Sequence, residues 1–142
     1  MVGGVQALAL VVGEGGVAAG TVRPGEVLEG AVAEVLEFAS PADALDGLRE
    51  RAGGLPPRGR TLIVIDGRGA EDARLAWVPL LVGIDLGPVI LLADDDRTDV
   101  VHAAKAHGVS RCLEHRHLSR HPGLLARSAR RALAADDRKQ RA

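Results

Sequence analysis

Four short runs along the chain are apolar and rich in branched residues: 7–12 (ALALVV), 33–38 (AEVLEF), 61–65 (TLIVI) and 88–93 (PVILLA). The first, third and fourth are continuously apolar, the pattern of strands buried on both faces of a parallel sheet, whereas the second alternates as an edge strand does. A fifth, weaker strand is predicted over 110–113. Between the runs the period changes to that of helices. Ser40 followed by Pro41 reads as an N-cap with proline at the first helical position, Leu45, Leu48 and Ala52 fall on one face, and Gly53-Gly54 stops the helix. A second helix is predicted over 98–107, with Val101 and Ala104 inward and Gly108 at its C-terminal stop. A last one begins near Pro122, with Leu125, Ala129, Ala132 and Leu133 on one stripe and Arg127, Arg130 and Arg131 outside it. Residues 71–78 also read as helix, which Pro79 should kink or end. The helix after the first strand is interrupted by Gly20, Pro24, Gly25 and Gly30.

Alternating strands and helices predict an α/β domain with a doubly wound, five-stranded parallel sheet, flavodoxin-like in class, with strand order 2-1-3-4-5 and helices on both faces. At 142 residues a single domain is expected, here over 5–134, followed by a short charged tail at 135–142.

Composition narrows the function. Aromatic residues make up 1% of the chain, which argues against platforms for stacking bases or sugars. The net charge is −1, which gives no overall field to recruit nucleic acid or an acidic membrane. The distribution is uneven, however: nine basic residues stand against three acidic ones from Arg111 onward, and nine against sixteen before it. The single Cys112 cannot form an internal disulfide, and the apolar run 5–12 is too short to span a bilayer and has no basic residue before it. A cytoplasmic location is expected.

Open parallel sheets bind ligands at the carboxyl ends of their strands, which directs attention to Gly13-Glu14, Asp66-Gly67-Arg68, Ala93 with Asp94-Asp95-Asp96, and Glu114-His115. With these intervals, and with the segments FASPADAL (38–45), LIVID (62–66), PVILL (88–92) and AHGVSRCL (106–113), the chain over 5–133 resembles the receiver domain of two-component response regulators, as an atypical, degenerate member. The resemblance implies phosphorelay signal transduction by a stand-alone protein-interaction module that is not an enzyme. Its partner would be a histidine kinase or another signalling protein, and direct DNA binding and membrane association are not expected. It implies Asp66 as phosphoacceptor, with weak Mg²⁺ binding through Glu14, Asp66 and the backbone carbonyl of Arg68. In such a site a carboxylate attacks a phosphoryl group while metal, lysine and hydroxyl screen the transferred oxygens.

Four positions depart from that pattern. Gly13 replaces one of two acids, Ala93 stands where a serine or threonine is expected, His115 at the lysine position, and Cys112 at that of the aromatic reporter. Histidine is only partly charged near neutral pH, so it neutralises less than lysine would. Loss of hydroxyl and aromatic together removes the coupled movement that passes the signal to a helical face. The resemblance further implies partner docking, or a homodimer, through the fourth helix, fifth strand and fifth helix, a surface carrying Lys105, Arg111, Arg127 and Arg131.

Several other groups have a plainer explanation beside a chemical one. Asp66 also fits as the polar end of a buried strand. Asp94-Asp95-Asp96 fits a solvated helix start better than a set of extra metal ligands. Cys112, His115, His117 and His121 include an off-helix His-x-His spacing without a second ligand cluster, so exposed histidines are favoured over zinc. An alternative function is a small nucleotide-binding α/β protein using the loop 13–20, where Gly13, Gly15 and Ala18 match a loose dinucleotide fingerprint and Glu34 or Glu37 would meet a ribose. Pro24-Gly25 breaks the continuous helix that this fingerprint requires.

Overall fold

A computed structural model gives the structure, and describes residues 7–13, 28, 31, 32, 34–50, 61–68, 74–121 and 123–141. Strands β1 (Leu8–Val12), β2 (Glu34–Phe38), β3 (Thr61–Asp66), β4 (Val89–Ala93) and β5 (Arg111–Glu114) form one sheet. The spatial order is β2-β1-β3-β4-β5 and every pairing is parallel, as the runs predict. The architecture is a flavodoxin-like α/β fold.

Alternation along the strands divides the core in two. Leu10, Val12, Ile63, Ile65, Val89 and Leu91 point to one face. There they meet Ala44 and Leu48 of α1 (Pro41–Glu50), Val78 and Leu81 of α2 (Trp77–Ile84), and Val100 and Ala104 of α3 (Thr98–Ala106). Ala9, Val11, Leu62, Val64, Ile90 and Leu92 point the other way, onto Leu28, Leu118 of α4 (His115–Arg120), and Leu125, Ala129 and Leu133 of α5 (Leu124–Arg141). Two covered faces explain why the central strands carry no solvent-facing polar alternation, and β2, at an edge, exposes Glu34 and Glu37.

The cap of α1 is as read from sequence: the Asp43 amide donates to Ser40 Oγ at 3.2 Å. Elsewhere the boundaries move. Pro79 does not end a helix but sits in the first turn of α2, where its missing N–H is not needed, and the helix continues to Ile84. On α3 the inward residue is Val100, with Val101 half-buried, because the stripe is set one position earlier than its hydropathy suggests. His115 and His117 lie on helix α4, which the sequence reading leaves irregular. The charged tail is helical through Arg141 as part of α5. The predicted stop at Gly53-Gly54, the inward Ala52 and the interrupted first helix apart from Leu28 fall outside the described residues. No helix among the described residues is long and apolar enough to cross a membrane.

Candidate functional site at the strand ends

β3 ends on Asp66 beside the end of β4, since Asp66 is in register with Leu92, and β4 ends beside Glu114, the partner of Ala93. The parallel register therefore brings Asp66, Ala93 and His115, the residue after β5, to one edge. Ala93 is fully buried in the core, with no hydroxyl to offer a ligand. Cys112 is half-buried and packs against the same core. Glu14 lies outside the described residues, as does the loop 13–20 beyond Gly13.

The side chain of Arg68 dominates this edge. Its Nε lies 3.0 Å from Asp66 Oδ1 and its Nη2 3.0 Å from Oδ2, a two-pronged ion pair between side chains that are each 2% exposed. The Arg68 amide also donates to Oδ1, at 3.2 Å. The remaining prong, Nη1, is 3.2 Å from His115 Nδ1, so β3 and the start of α4 are tied through one guanidinium. Planar forks match carboxylates in this way, and the fixed charge of arginine serves burial better than lysine. Sequence reasoning gives Arg68 a backbone role only. The signal available in the sequence is an arginine two residues beyond a strand-ending aspartate, with a histidine directly after the fifth strand.

This geometry bears on metal binding. Mg²⁺ takes oxygen ligands at short range, and both Asp66 oxygens are already held by a cation. The residues do not fit the ion in this arrangement. No group of three or more metal-ligating side chains occurs among the described residues.

Gly13 has its own explanation. Its φ is +138°, its amide donates to the Phe38 carbonyl at 2.8 Å, and a Cβ there would lie 2.8 Å from the Asp66 carbonyl oxygen. A carboxylate-bearing residue is thus excluded by backbone conformation and by contact with β3.

The aspartates after β4 are engaged by α4. The Arg116 amide donates to Asp95 Oδ1 at 2.8 Å, and its Nη1 to Asp96 Oδ1 at 3.3 Å. Arg116 Nη2 lies 3.0 Å from Glu114 Oε2, an ion pair whose angle is too poor for a hydrogen bond. Arg97 holds Asp99 from two nitrogens, and this hydrogen bonding keeps the Asp99 carboxyl below its usual range. Arginines thus answer carboxylates around the rim as well as at its centre.

These features define a class: a flavodoxin-like α/β domain whose strand-end acid is internally neutralised. Comparison with protein-family models, curated proteins and solved structures gives no match to this chain.

Proposed function

We propose that the protein is a receiver-like signalling module that works by protein association, with Asp66 held by Arg68 and not cycling through phosphorylation. The observation that carries this reading is the buried, two-pronged Arg68–Asp66 pair capped by His115. In a working receiver the acceptor carboxylate must be open to a metal and to the phosphodonor. Here nucleophilic attack by Asp66 would first require the guanidinium to leave, exposing two buried charges at a cost of several kcal/mol. Ala93 and Cys112 also lack the groups that would read out a modification.

On this reading the protein is not an enzyme, resides in the cytoplasm, and meets a histidine kinase, another signalling protein or a second copy through α3, β5 and α5. Lys105, Arg111, Arg127 and Arg131 are all exposed on those elements and suit an acidic partner. Incubation with acetyl phosphate and Mg²⁺, followed by intact mass, tests the locked state. The expected result is no added phosphoryl group in the natural protein. Stoichiometric addition that Asp66→Asn abolishes would overturn it.

A further inference from the structure

At the opposite end of β5, about 10 Å along the strand from Glu114, a concave site of about 490 Å³ opens between Arg111 and the C-terminal half of α5. Its volume falls within the range of small-molecule pockets, about 300–1,000 Å³. Arg131, Ala135 and Arg138 are spaced i, i+4, i+7 and so share the helix face that lines it, with Arg111 and Ser110 facing them from the strand. Among the described residues, none supplies an ion-pair partner to Arg111, Arg131 or Arg138. This is unlike the strand-end rim, where the arginines are matched by carboxylates. Asp136 is the one acid among the described residues that line the cavity.

We infer that this cavity binds a small ligand carrying at least two phosphoryl groups. Three guanidinium forks outweigh one carboxylate, and each matches a phosphoryl group through paired N–H donors. The Ser110 hydroxyl adds a donor. No aromatic residue lines the site, so a base or ring gains no stacking surface and the anionic groups carry the affinity. Alanines on the helix leave the room. The inference uses no residue of the Asp66 edge but shares Arg111 and Arg131 with the proposed docking face, and the hexaglutamate arm below separates the two.

The test is titration of the full chain with fructose 1,6-bisphosphate, pyrophosphate and hexaglutamate at low ionic strength, followed by amide shifts. The bisphosphate should saturate with Kd of about 1 mM or tighter, moving Ser110, Arg111 and residues 131–138, and binding should weaken as salt rises. Arg111→Gln with Arg131→Gln should lower its affinity about tenfold or more. Ala135→Glu, which keeps every arginine but fills the cavity with opposing charge, should do the same. The inference is overturned if neither phosphate ligand saturates or if the two variants bind as the natural protein does. Tighter binding of hexaglutamate would equally overturn it, and would make the cavity part of an acidic-protein interface.

Discussion

Replacing Arg68 by Met keeps most of the side-chain volume and removes the charge, which leaves the Asp66 carboxylate buried without its cation. Both side chains are 2% exposed, so solvent offers little relief. Breaking one partner of such a pair costs about 3–5 kcal/mol, whereas replacing both by apolar groups is often neutral or stabilising. Against a total stability of about 5–15 kcal/mol, the single change is a large fraction, and for a chain of this size it should lower Tm by about 6–20 °C. The informative experiment is therefore a cycle: Arg68→Met, Asp66→Leu and the double variant, each unfolded in urea at neutral pH. The double variant should recover most of the loss seen in either single one. Because the pair is buried, the coupling should change little between low and moderate salt. A cost below about 1 kcal/mol for Arg68→Met, or a double variant as unstable as the sum of the singles, would refute the view that one internal pair organises the strand ends.

Three further outcomes follow from local geometry. Gly13→Asp, which places a second acid beside Glu14, should cost about 1–3 kcal/mol through its positive φ and its contact with the Asp66 carbonyl, and Mg²⁺ titration of that variant should show no high-affinity site. Thr61 Oγ1 is buried with no partner, so Thr61→Val should raise stability by about 1 kcal/mol in urea unfolding. Reversing Lys105 and Arg127 to Glu should abolish self-association or partner capture seen by sedimentation at low salt, and association unchanged in that variant would remove the α3–β5–α5 face from consideration.

What the sequence determined is the fold and the meeting of residues at its edge. Continuous apolar runs cannot sit on a half-solvated sheet, so 61–65 and 88–93 had to be central, and the alternating 33–38 had to lie outside them. Strand ends in a parallel sheet converge, which put Asp66, Ala93 and His115 together before any distance was measured. Helix limits were less legible. Pro79 reads as a stop, yet a proline in a first turn stops nothing, and where that turn begins depends on what α2 packs against. The chemistry of the edge was decided only in three dimensions. The resemblance assigns Arg68 a backbone role only, because a sequence pattern constrains chain path more readily than side-chain direction. The guanidinium folds back onto Asp66 and meets His115 at the start of α4, 47 residues along the chain, and that meeting is not a property of any short stretch of sequence. The same holds for the unpaired arginines at the far end of β5: their charge is visible along the chain, but their convergence on one cavity required α5 to pack across the sheet.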